Sequence, residues 1–255
     1  MALVKTKEEI KILHEGGRIL GSILASLASA VEPGISTMDL ESLARSSIAR
    51  AKAEPAFLGY KISPRMPAFP AALCTSVNHE IVHCFPDPRR ILREGDIVSL
   101  DLGIKYKGLY TDAAVTVPVG RASAVAKKLI EVARAALQNG IGQVRAGNTI
   151  GDIANAIQRT AEGAGFGVIR ELIGHGVGHA VHEKPDVPNF GKAGTLEKLK
   201  PGMVLAIEPM LTAGDYHIRF LDDGWRVVTA DGSLSAHFEH TVAVVPEGYL
   251  VLTEI

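Results

Sequence analysis

Two aspartates sit where aspartate is unexpected. Asp101 interrupts the apolar run Ile97–Ile104, and Asp112 interrupts Leu109–Val117. A carboxylate is rarely buried unless it is paired or binds a cation. The intervening Tyr106-Lys107-Gly108 reads as a tight turn, so the two runs form a hairpin. A turn centred between Tyr106 and Lys107 would set Asp101 directly opposite Asp112, and a bulge at Gly108 would move this by one position. Like charges so close destabilise a sheet, and a bound cation reverses the sign. The plainer alternative is a pair of solvated aspartates on a wet face.

Further residues extend that chemistry. Gly174-His175-Gly176-Val177-Gly178-His179-Ala180-Val181-His182 places three histidines among glycines that let the backbone approach closely. Neutral imidazole is a common transition-metal ligand. Glu208, in Ala206-Ile207-Glu208-Pro209-Met210, and Glu239, in Ala236-His237-Phe238-Glu239-His240-Thr241, each sit in a mostly apolar strand-like run. Four carboxylates and one imidazole suit a pair of Mn²⁺, Fe²⁺, Co²⁺ or Zn²⁺ ions that share bridging carboxylates and acidify a water. His79-Glu80-Ile81-Val82-His83 matches H-E-x-x-H, but that motif works only on a helix. Ile81 and Val82 disfavour one, and Phe85-Pro86-Asp87-Pro88 follows at once. The zincin reading is rejected and His83 kept as a candidate site residue. Cys74 and Cys84 read as small hydrophobes, Trp225 as a turn or core anchor or a pocket wall. His14, His217, His237 and His240 carry no specific claim.

These residues need elements to hold them. Thr6 and Glu9 form a capping box before a helix. Apolar residues at helical spacing run on to Leu27, and Pro33-Gly34 ends the helix. A second helix starts near Ser36 or Thr37. Residues 53–88 hold six prolines and read as loop with short strands. Helices resume over Ser123 to about Val144 and Thr149 to about Gly163, and the remainder is strand and loop. Val31-Glu32-Pro33-Gly34-Ile35-Ser36 is echoed 113 positions on by Val144-Arg145-Ala146-Gly147-Asn148-Thr149. This suggests two related α+β halves packed with pseudo-twofold symmetry.

The 255 residues carry a net charge of -1 and only 2 cysteines, which excludes a disulfide scaffold and gives no global sign of nucleic-acid or anionic-membrane binding. Lys5, Lys7, Glu8 and Glu9 break any secretory h-region. No apolar stretch approaches the roughly 20 residues of a membrane span. A cytoplasmic protein is expected.

The set D-x(10)-D (Asp101, Asp112), G-H-G-x-G-x-x-x-H (Gly174 to His182), I-E-P-M (Ile207 to Met210) and F-E-H-T (Phe238 to Thr241) resembles the methionine aminopeptidases over nearly the whole chain. The resemblance implies one catalytic domain over 1–255 with the pita-bread α+β fold, two pseudosymmetric halves around a curved antiparallel sheet. It implies the type I branch, because no helical insertion fits between His182 and Glu208. It also implies removal of the N-terminal methionine from peptides and nascent proteins, with preference for a small second residue. Asp101 would bind one ion, Asp112 and Glu239 both, His175 and Glu208 the other. Glu208 would also be the general base, His182 would stabilise the oxyanion, and His83 would contact the substrate. Trp225, Tyr60, Phe69 and Cys74 would line the substrate pocket. A monomer and transient ribosome association follow from the same resemblance, although no basic cluster marks a docking face. Departures fall on the pocket: Val82-His83-Cys84 stands where relatives commonly read C-H-G, the segment 60–70 is longer, and Phe57, Phe69 and Val181 replace other types. Two alternatives share the fold, an Xaa-Pro hydrolase and a non-catalytic binding module.

Overall fold

The structure is a computed structural model that describes residues 4–64 and 66–254. Met1–Leu3, at the head of the N-terminal stretch considered above, lie outside the described residues, as does Arg65 of the 60–70 segment. The chain opens with α1 (Lys7–Ala30) and α2 (Thr37–Arg50). It continues through β1 (Glu54–Pro55), β2 (Leu73–Val77) and β3 (Glu80–Val82) to the long strands β4 (Ile97–Tyr106) and β5 (Leu109–Pro118). Helices α3 (Ala124–Ile141) and α4 (Ile150–Gly163) follow. The rest is β6 (Gly167–Val168), β7 (Gly174–Gly176), β8 (Glu183–Val187), β9 (Val204–Ile207), β10 (Met210–Thr212), β11 (Ile218–Phe220), β12 (Val227–Thr229), β13 (Ser235–His237), β14 (Glu239–Val245) and β15 (Gly248–Val251). Among the described residues no helix is long and apolar enough to cross a membrane.

The main sheet runs β1-β4-β5-β14-β9-β7-β8, with β2 added to β4 and β15 to β14, so both halves of the chain contribute strands. Its pairs are antiparallel. Two three-stranded sheets, β13-β10-β6 and β11-β12-β3, flank it. Alternation along the strands sorts the two faces. Leu100 and Leu102 of β4, Val115 of β5, Leu205 and Ile207 of β9, and Val242 and Val244 of β14 join one core with Leu20 and Leu24 of α1, Leu40 of α2, Leu129 of α3 and Ile153 of α4. The helices cover that face. Asp101, Asp112 and Glu239 alternate with these residues and occupy the other.

The echo at residues 31 and 144 is structural. Ser36 and Thr149 are N-caps of α2 and α4, and each forms a capping box with the aspartate three residues on, Asp39 and Asp152. Each entry also carries a matching backbone ladder. Gly34 N–H donates to Leu92 O, as Gly147 N–H does to Leu199 O. Leu92 N–H donates to Ile35 O, as Leu199 N–H does to Asn148 O. The repeat thus extends from side-chain caps to the strand-like segment that covers each helix entry.

The hairpin register differs from the expected one. Lys107 and Gly108 both take positive φ, 49° and 87°, and form the two-residue turn themselves. This is the backbone of a primed hairpin turn, which matches the twist of the strands it joins. Tyr106 therefore faces Leu109, Asp101 faces Ala114, and Asp112 faces Gly103. The aspartates are diagonal neighbours on one face rather than directly opposed. Ser36→Ala and Thr149→Ala should each lower stability by about 1 kcal/mol through loss of the cap, read as a shift in the urea denaturation midpoint at unchanged slope.

Candidate metal centre

Strand register brings the predicted ligands together. Asp101 on β4 faces Ala114 on β5, and Ala114 faces Glu239 on β14. Next to this row, Thr241 faces Ala206 on β9, and Ala206 faces His175 on β7. Facing residues and residues two apart share a face of a sheet. Asp112 lies two from Ala114, and Glu208 two from Ala206 at the end of β9. All five side chains therefore converge. Asp112, His175 and Glu239 each offer a ligand atom within 4.8 Å of the others, and His175 Nε2 lies 3.4 Å from Glu208 Oε1. The Thr241 hydroxyl accepts from Asp112 N–H at 2.9 Å and donates to Asp112 O at 2.7 Å, locking β5 to β14 where the carboxylates meet.

The glycines around His175 are there for packing. A Cβ on Gly174 would collide with Ala206 O, and one on Gly176 with Lys184 O, so β7 fits between β9 and β8 only with glycine on either side of His175. The His175 Nδ1–H donates to Gly176 O at 2.9 Å, which leaves Nε2 with the free lone pair a metal requires.

Electrostatics reinforce the geometry. Burial pushes Asp112 up to about 7. Burial and then the Asp112 charge raise Asp101 well above the carboxylate range. Glu208 and Glu239 rise too, by burial first and the neighbouring acids second. Burial holds the imidazoles neutral, with His175 down to about 3 and His182 and His83 down to about 4. Asp101 Oδ1, Asp112 Oδ1 and Glu239 Oε1 are buried without a hydrogen-bond partner. Orphaned, desolvated oxygens clustered with neutral imidazoles fit a divalent metal centre.

The cleft beside the ligands is lined by Phe57, Tyr60, Phe69, Cys74, His83, His182 and Trp225. Phe69 packs edge-on against Trp225 at 5.1 Å and against Phe57 at 6.4 Å between ring centres. The Asp223 carboxylate accepts from Trp225 N–H and Arg226 N–H, and the indole N–H donates to Pro67 O at 3.0 Å, so Trp225 is anchored in a turn while its ring lines the cleft. Val181 packs in the same aromatic cluster. Cys74 faces Asp101 across β2 and β4, is buried, and has its thiol raised by burial. The Tyr60 hydroxyl lies 2.6 Å from His182 Nδ1, and the His182 and His175 rings are 4.3 Å apart. His79–His83 is not helical. Glu80 begins β3, and its carboxylate accepts from Val77 N–H.

Three residues were missed at the sequence level. His237, given no role, is 1% exposed and has Nε2 at 3.7 Å from Glu208 Oε2. Lys5, read only as a charge that breaks a leader, forms a buried ion pair at 2.5 Å with Glu183. The Glu183 carboxylate also accepts from His179 N–H and Ala180 N–H, pinning the loop that carries His182. Alternation with Glu239 was the available signal for His237. Lys5 and Glu183 lie too far apart in the chain for any local one.

Comparison with known proteins fits this architecture. Residues 11–246 match the model of metallopeptidase family M24. The chain belongs to that family, on its methionine aminopeptidase branch, and is a metal-dependent hydrolase with the pita-bread fold. It is 46% identical to a methionine aminopeptidase of Clostridium perfringens over the full length of both, and 42% identical to methionine aminopeptidase 1 of Bacillus subtilis, also over both full lengths. The crystal structure of the methionine aminopeptidase of Thermotoga maritima superposes with a TM-score of 0.96 at 41% identity, covering both chains fully. The prolidase of Pyrococcus furiosus, at 21% identity and TM-score 0.77, shares the fold over 66% of its own chain.

An ion bound by these acids would displace their protons. Protonated, they favour the metal-free fold; that contribution fades as pH rises from about 4, the ordinary carboxylate value, through about 7 for Asp112. Ion affinity should therefore climb as pH rises through 7. Titration calorimetry with Mn²⁺ at pH 7, in two buffers of different ionisation enthalpy, should show at least about one proton released per chain. Identical heats in both buffers would contradict this.

Proposed function

We propose that residues 1–255 form one catalytic domain that removes the N-terminal methionine from peptides and nascent proteins in the cytoplasm. Two divalent ions, Mn²⁺, Fe²⁺, Co²⁺ or Zn²⁺, would be held by the five residues. Asp101 would serve one ion, His175 and Glu208 the other, and Asp112 and Glu239 both. The observation that carries this reading is the convergence of five candidate ligand side chains beside an aromatic-lined cleft. Phe57, Phe69, Cys74 and Trp225 offer apolar and polarisable surface suited to an unbranched thioether side chain. The segment 60–70 supplies Tyr60 and Phe69, and its Met66 packs at the edge of the same cluster.

Bound ions would supply Lewis acidity toward the scissile carbonyl and a water acidic enough to attack near neutral pH. The chain's own residues do the rest. Glu208, raised by burial, accepts a proton from the attacking water and returns it to the leaving amine. Tyr60 donates its hydroxyl hydrogen to His182 Nδ1, which places the imidazole proton on Nε2 as a donor to the developing oxyanion. His83, buried and neutral, packs against Trp225 at 6.0 Å between ring centres and borders the first peptide bond. The aromatic walls exclude water from the methionine side chain.

Incubated with Co²⁺ or Mn²⁺, the purified protein should release methionine from Met-Ala-Ser and leave an Ala-Pro dipeptide intact. Cleavage of the dipeptide alone would overturn the reading. Glu208→Gln should lower kcat at least about a hundredfold. Tyr60→Phe should lower kcat about tenfold with little change in KM, as expected for a group that acts in the transition state.

A further inference from the structure

His237 has no partner for either ring nitrogen, yet it is among the most deeply buried polar side chains of the protein. A neutral imidazole carries one N–H and one lone pair. Burying such a group unpaired costs about 1–3 kcal/mol, so it calls for an explanation. Near Glu208, the unpaired buried oxygens of Asp101, Asp112 and Glu239 belong to the proposed ligands, and Asn189 Oδ1 is also unpaired. Of the unpaired groups outside the ligand set, the His237 ring is the one whose nitrogen faces the Glu208 carboxylate.

The backbone that carries the ring is held on both sides. His237 N–H donates to the Thr116 hydroxyl oxygen at 2.8 Å, and that hydroxyl donates to His237 O at 2.7 Å. Strand β13 is fixed on its other side by pairing of His237 with Met210. Opposite the ring stands Glu208. Asn189 Nδ2–H donates to the Glu208 carbonyl at 3.1 Å and holds its backbone. The two carboxylate oxygens lie between two imidazoles, Oε1 at 3.4 Å from His175 Nε2 and Oε2 at 3.7 Å from His237 Nε2. A shift of about half an ångström brings the second contact into hydrogen-bonding range.

We propose that His237 donates a hydrogen bond from Nε2 to Glu208 Oε2 and thereby sets the orientation in which Glu208 meets the metal. His237 is then a positioning residue, not a ligand. The inference rests on the metal reading of the site. Its chemistry is that of outer hydrogen bonds which orient a metal-binding carboxylate and raise affinity about 10- to 100-fold.

The test compares metal-free parent, His237→Gln and His237→Leu by Co²⁺ titration calorimetry, by the visible absorption of the Co²⁺ form, and by melting of the metal-free proteins. Glutamine keeps an N–H donor; leucine does not. Expected are Co²⁺ binding by the leucine variant weakened about 10- to 100-fold with an altered spectrum, and glutamine within about threefold of the parent, since its donor is retained. The metal-free leucine variant should melt no lower than the parent, because an unpaired buried polar group has been removed. Parent-like affinity in the leucine variant overturns the proposal. So does equal loss in the glutamine variant at unchanged melting temperature. If the leucine variant does not fold, His237→Met takes its place under the same criteria. Failure of the parent itself to bind Co²⁺ would instead remove the metal reading.

Discussion

Four carboxyl groups are packed on one sheet face away from water. Their mutual repulsion and lost hydration are the constraint on which the structure turns. Asp101, Asp112, Glu208 and Glu239 are all shifted toward the protonated form, with burial the leading cause in each. Such a cluster is costly as bare charge. It becomes favourable when protons or cations neutralise it, and cations of charge two also give it work to do. The surrounding histidines, kept neutral by burial, add ligand lone pairs without adding positive charge.

The fold meets this constraint through regular strand alternation. One face of the main sheet is filled by leucine, isoleucine and valine against four helices. The other carries the acids of β4, β5 and β14, Glu208 at the end of β9 and His175 of β7, beside a smaller apolar cluster that includes Val204, Ala243 and Leu13. The candidate ligands therefore sit on paired strands or at their ends, where backbone hydrogen bonds hold them. The cleft beside them is built differently. Phe57, Tyr60 and Phe69 come from irregular chain before β2, Trp225 from a turn, and His182 from a loop. That loop is tied down by Glu183 and Lys5 from the other end of the chain. Rigid strands fix the candidate metal centre, and separately anchored loops shape the cleft beside it.

This division also explains what could be read from the sequence. Asp101, Asp112, Glu208 and Glu239 were conspicuous because each breaks an apolar strand pattern, and the helices were legible from capping boxes and periodicity. The hairpin register was not, because it depends on whether Lys107 accepts positive φ, and lysine gives no local sign of that. His237 passed unnoticed because its meaning lies in Glu208, which reaches it only through tertiary packing. Lys5 is the same case: an ordinary charge in the sequence, a buried ion pair in the fold. Conversely, His79–His83 has the letters of a metal site and lacks the helix that would give them meaning.

Anomalous diffraction from crystals grown with Mn²⁺ tests the central claim most directly. Two peaks are expected within the five-residue cluster, with Asp112 and Glu239 between them, Asp101 on one side, and His175 and Glu208 on the other. An absence of peaks there, or a single ion bound elsewhere, would contradict the account.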